Sequence, residues 1–110
     1  MAKRFLITTD RIGGGELGAV LTRNFMYSLA RAEATPSAVM LMNEAARLAC
    51  KGSDVLDDLQ MLADKGVAIR VCGTCLDHLG IRDDLVVGEA GTMAEGVGAF
   101  LASDEIVTIS

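Results

Sequence analysis

Two of the three cysteines stand close together, in Cys72-Gly73-Thr74-Cys75. That spacing brings two sulfurs to one turn, and its chemistry is that of the thiolate: nucleophilic attack, sulfur transfer, disulfide exchange or metal ligation. The turn follows the strand-like stretch 67–72 and precedes a short helical one. Thr74, with Asp77 three residues on, reads as a helix cap, which places Cys75 in the first turn and Cys72 just before it. Backbone N–H groups without partners inside the helix then point at the Cys72 sulfur and favour its anion by about 0.3–1 kcal/mol. Asp77, Asp83 and Asp84 oppose that effect. Stronger activation needs a cation, with Arg11, Arg47 and protonated His78 as candidates.

The same residues admit plainer readings. Cys72 and Cys75 can be two small, easily buried residues flanking a turn. With His78 as third ligand and Cys50 as fourth they can hold a metal, but the chain has no second ligand cluster to match this one, and no metal is expected. A thioredoxin-like exchanger carries its pair after the first strand of its fold, whereas here the pair follows the third. Gly13, Gly15 and Gly18 spell G-x-G-x-x-G between a strand and a helix, the pattern of a dinucleotide site. Near the end of the second strand, where that fingerprint wants an acid, stand Asn43 and then Glu44. The glycines are read as a tight turn, and no cofactor is expected.

The elements that must position these groups alternate. Residues 4–9 form a β-branched and aromatic run that reads as a first strand, and 16–33 carry Leu17, Val20, Leu21, Phe25 and Leu29 at helical spacing. Residues 37–42 read as a second strand. Asn43 can cap one or two turns through Leu48. Ser53 reads as the cap of a second helix with Asp54 in its first turn, and Lys65-Gly66 as its stop. Strands at 67–72, 85–87 and 106–109 follow, with Thr92 and Glu95 as the capping box of a last helix through Ala102. Continuously apolar strands alternating with helices imply an α/β fold: a mainly parallel five-stranded sheet covered on both sides, in one domain over residues 1–110. Ligands of such sheets gather at the carboxyl ends of the strands, here the loops 10–15, 43–52, 72–77 and 88–93.

Composition narrows the function. An apolar share of 51% excludes a disordered chain. Fifteen acidic against ten basic residues leave a net charge of −5, which argues against a nucleic-acid partner. No apolar run approaches a membrane span. An odd number of cysteines behind no export signal reads as reduced thiols in the cytoplasm. A small, apolar, aromatic-poor domain is expected to bury part of its surface in a homo-oligomer.

Several blocks together resemble a known family. Leu17-Gly18, Asn43, the run Gly52-Ser53-Asp54-Val55-Leu56-Asp57-Asp58-Leu59, then Lys65-Gly66-Val67, Cys72-Gly73-Thr74-Cys75-Leu76-Asp77, and Val87-Gly88-Glu89 with Met93 are similar to the DsrE/DsrF-like family. The nearest likeness is to the branch found as the carboxyl-terminal domain of YedF, the sulfurtransferase-like selenium metabolism protein. The resemblance implies a three-layer α/β/α domain that assembles into dimers, trimers or hexamers. It implies sulfur-relay chemistry, with Cys72 carrying a persulfide and exchanging it with a donor or acceptor protein such as a TusA-like carrier. In that reading Cys75 resolves or shelters the persulfide, Gly73 and Thr74 shape the turn, and Asn43, Arg11 and His78 line the site. The rival expectations are a non-catalytic oligomeric adaptor and a small thiol redox or metal-binding protein.

Overall fold

The structure, a computed structural model, describes residues 2–102 and 105–110. Its frame is five strands: β1 (Arg4–Ile7), β2 (Ala38–Leu41), β3 (Ala68–Cys72), β4 (Glu89–Gly91) and β5 (Ile106–Ile109). They lie in the order β4-β3-β2-β1-β5, with every neighbouring pair parallel. Helices α1 (Gly15–Arg31), α2 (Leu56–Asp64), α3 (Gly73–Leu79) and α4 (Met93–Ala102) make the connections. The strand order dictates their sides. From β1 to β4 the chain steps one way across the sheet, and from β4 to β5 it returns over the whole width. Right-handed crossovers therefore put α4 on the face opposite the other three helices. The expected three-layer α/β/α architecture is what forms.

Alternation along the strands separates the two faces. Ile7, Val39, Leu41, Ile69 and Val71 turn to one side, where they meet Met26 and Ala30 of α1, Leu59 and Leu62 of α2, and Leu76 of α3, all buried. Parallel register sets Ile7 level with Leu41 and Leu41 level with Val71, so the layer is continuous. Arg4, Met40, Met42, Arg70 and Cys72 belong to the other side. There, among the described residues, α4 is the one helix: a Cβ on Gly96 would sit 3.6 Å from Met42 Cε and 3.7 Å from Met40 Cε, and Arg4 Nη1 donates to the Ala99 carbonyl at 2.9 Å. Five strands spaced by about 4.8 Å span roughly 19 Å, whereas a helix covers about 10 Å. One helix cannot close that face. Among the described residues no helix is long and apolar enough to cross a membrane.

Four local expectations are corrected. The fourth strand is Glu89–Gly91, not 85–87. Leu85 instead bridges to Cys50, and the Val86 N–H donates to the Ala49 carbonyl at 2.9 Å, so this apolar run covers the 3-10 segment Asn43–Ala49. The real edge strand is short and polar, which hides it from a hydropathy pattern. Gly88 makes its pairing possible, because a Cβ there would lie 2.7 Å from the Ile69 carbonyl oxygen. The second helix begins at Leu56, and Ser53 Oγ accepts the Val55 N–H at 3.2 Å one step before it. Asn43 caps nothing with its side chain; it is the first residue of the 3-10 segment, with φ 54. Thr74 is likewise no cap, since α3 starts at Gly73 with Cys72 as the flanking residue.

The candidate thiol site

Cys72 ends β3 and Cys75 occupies the first turn of α3, as the spacing predicts. The strand delivers Cys72 to the sheet face that α4 leaves partly open, so its half-buried side chain lines a cavity of about 310 Å³. The walls are Met40 and Met42 from β2 and its end, Gly91 at the end of β4 with Thr92 after it, and Met93 and Gly96 of α4. The Thr92–Glu95 capping box holds the α4 end of this wall. Glu95 N–H donates to Thr92 Oγ1 at 3.2 Å, and Thr92 N–H donates to Glu95 Oε1 at 3.3 Å.

Cys75 sits between two partners. The Asn43 backbone N–H donates to Cys75 Sγ at 3.1 Å, and the Cys75 thiol lies within hydrogen-bonding reach of Cys72. Burial pushes the Cys75 thiol above its ordinary value, and the neighbouring Cys72 sulfur adds to that rise, while the Asn43 N–H pulls the other way. Cys75 therefore keeps its proton to higher pH than a free cysteine does.

Sequence reasoning missed Arg82. Its guanidinium holds Asp77 through Nε at 2.6 Å and Nη2 at 3.1 Å, and Nη2 also donates to the Gly73 carbonyl at 3.2 Å. Asp77, whose charge would oppose a thiolate, is thereby neutralised and held below the usual carboxylate range. Gly73 is crowded by the same contact: a Cβ would stand 2.8 Å from Arg82 Nη2, which a side-chain shift could relieve, and 3.0 Å from the Gly91 carbonyl oxygen, which is fixed backbone. The Asp77–Arg82 spacing of five fits neither helical pair rule, so no sequence signal marks it.

The remaining candidates lie apart. His78 is exposed in the last turn of α3 and does not line the Cys72 cavity. Arg11 and Arg47 line a second cavity of about 350 Å³ with Asp10, Lys51 and Asp84. Arg47 there is paired with Glu44 at 2.5 Å. Cys50 is buried on the edge of that cavity, its thiol directed to the Ala46 carbonyl at 3.4 Å. Burial raises its pKa too. Among the described residues no three His, Cys, Asp or Glu side chains gather as metal ligands. Gly18 packs α1 directly on the loop after β1, where a Cβ would come within 2.8 Å of the Ile12 carbonyl oxygen.

A wholly parallel sheet with a thiol pair at the carboxyl end of its third strand defines a small α/β thiol domain. The DsrE/DsrF-like family profile matches residues 6–109, and the chain belongs to that family. Three solved structures share the fold. The ychN protein from E. coli is 22% identical, with 98% of this chain and 99% of that one covered at a TM-score of 0.70. MTH1491 from Methanobacterium thermoautotrophicum, a protein of unknown function, is 19% identical over 97% of both chains with a TM-score of 0.71. BT1422 from Bacteroides thetaiotaomicron, a conserved protein of unknown function, is 17% identical over 97% of this chain and 94% of that one, at 0.65. A search of curated protein sequences returns no match.

Proposed function

We propose that this is a cytoplasmic sulfur-relay protein of the YedF-like branch, carrying sulfur or selenium on Cys72. The observation that carries the reading is Cys72 lining a cavity while a second thiol, Cys75, stands beside it in the first turn of α3. The Cys72 thiolate attacks the outer sulfur of a donor persulfide; the donor's S–S bond breaks, the donor leaves as a thiolate, and Cys72 holds the new S–S bond. Discharge follows when an acceptor thiolate takes the outer sulfur. Alternatively Cys75 attacks the inner sulfur, hydrosulfide leaves, and a Cys72–Cys75 disulfide forms that an external dithiol must reduce. Donor and acceptor are proteins in this reading, a TusA-like carrier among them.

Self-association belongs to the same proposal. Leu17, Val20, Leu21 and Tyr27 form an exposed stripe along α1, and Val97 and Leu101 stand out from α4, with Leu101 84% exposed. This exposed surface also favours the rival reading, an oligomeric adaptor whose thiols are idle. Mass spectrometry after incubation with a persulfide donor separates the two. The relay reading expects an adduct of about 32 Da that disappears in Cys72→Ala. An unmodified wild-type chain under efficient donation overturns it.

A further inference from the structure

The cavity at Cys72 is longer than a thiol alone requires. It runs beneath α4 from Cys72 back to Ala68 on β3 and from Met42 back to Ala38 on β2, reaching Arg4 on β1. Four residues of strand correspond to roughly 13 Å. Its floor is aliphatic, made by Ala38, Met40 and Ala68, but two arginines also line it. Arg70 lies two residues before Cys72 on the same face, and Arg4 stands near the far end. Both are incompletely used. Arg70 has one nitrogen on exposed Glu89 at 3.2 Å, a solvated pair of little strength, and Arg4 gives one nitrogen to the Ala99 carbonyl. Glu95 also lines the cavity, with its carboxylate held by the Thr92 cap. On a chain of net charge −5, the slot carries two arginines, Arg70 two residues before the sulfur and Arg4 at the far end, placed to take anionic groups.

Size points to a small molecule. At about 310 Å³ the slot lies at the lower end of ligand sites, which run from about 300 to 1,000 Å³. We infer that the slot takes a small carboxylate-bearing persulfide, its stem along Met40 and Ala68, its carboxylates on Arg70 and Arg4, and its outer sulfur at Cys72. This rests on the relay reading and adds the class of low-molecular-weight donor. The reaction is R–S–S–H plus the Cys72 thiolate giving the Cys72 persulfide and R–S⁻: one S–S bond breaks, one forms, and nothing is oxidised overall.

Glutathione persulfide and the persulfide of glutathione diethyl ester test it, since they share a stem and differ in free carboxylates. The free acid should load Cys72 roughly tenfold faster, and Arg70→Gln should bring that ratio towards one by slowing the free acid. Equal rates for both donors in the wild-type chain overturn the inference. A second measurement does not depend on transfer. In Cys72→Ser, S-methylglutathione should shift the amide resonances of Ala38, Ala68 and Arg70, and no shift up to about 10 mM overturns the inference as well. Shifts with S-methylglutathione, where no persulfide loads the wild-type chain, uphold the slot and remove the relay reading.

Discussion

The backbone N–H of Asn43 donates to Cys75 Sγ across 3.1 Å, joining the end of β2 to the first turn of α3. Asn43 is the one non-glycine residue with a positive φ among the described residues, at 54. Asparagine tolerates this left-handed conformation better than most side chains, and here the conformation aims an N–H at a sulfur. Asn43→Gly keeps both the conformation and the donor, and should stay within about 0.5 kcal/mol of wild type. Asn43→Val should cost about 1–2 kcal/mol in urea denaturation and raise the Cys75 pKa further, because the donor turns away.

Cys75 itself supplies a pH prediction. Its pKa is raised chiefly by burial, so in the folded chain it stays a thiol where a free cysteine ionises. Peptide-resolved iodoacetamide labelling of the wild-type chain should give Cys75 a midpoint above the roughly 8.5 of an unstructured cysteine. The linkage sign follows. A raised folded pKa contributes stability below the unfolded value, and that contribution is lost as pH rises through the folded one.

Gly73 is fixed from two sides. Gly73→Ala should destabilise the fold by about 1–3 kcal/mol. Pairing it with Arg82→Ala should recover only part of the loss, because the Gly91 carbonyl, 3.0 Å from the added Cβ, remains in place. Full recovery in the double variant would show that Arg82 alone excludes the methyl group.

Asp77 and Arg82 give the acid limb. Arg82 lowers the Asp77 pKa, so the pair contributes above the unfolded carboxylate value of about 3.9 and fades as pH falls through the depressed folded value. The stability gap between wild type and Arg82→Gln should therefore narrow as pH falls below about 4. A gap that stays constant through this range would place the Arg82 contribution in its bond to the Gly73 carbonyl.

Much of the frame is legible in the chain. The apolar run at 38–41 and the alternation at 68–72 read as strands of one sheet, and Lys65-Gly66 and Thr92–Glu95 act where local chemistry says they should. The misread elements share a cause. Leu85 and Val87 look like a strand because they are apolar, yet their partners are Cys50 and Ala49 at the end of the 3-10 segment, while Glu89–Gly91 pairs with β3 without any apolar signal. Thr74 looked like a cap because its alternative, Cys72 flanking a helix that starts on glycine, depends on Arg82 and Gly91 closing around Gly73.

The amino-acid order by itself determined the α/β class, the thiol pair and its position at the end of a strand followed by a helix. These are local consequences of hydropathy period and turn chemistry, set within a few residues. Only the tertiary structure decided the surroundings of that pair. Asn43 meets Cys75, Arg82 secures Asp77, and α4 leaves the Cys72 face open, while Arg11 and Arg47 line a separate cavity. Such contacts arise from strand order and from a single helix spanning a five-stranded face. No spacing along the chain encodes either of them.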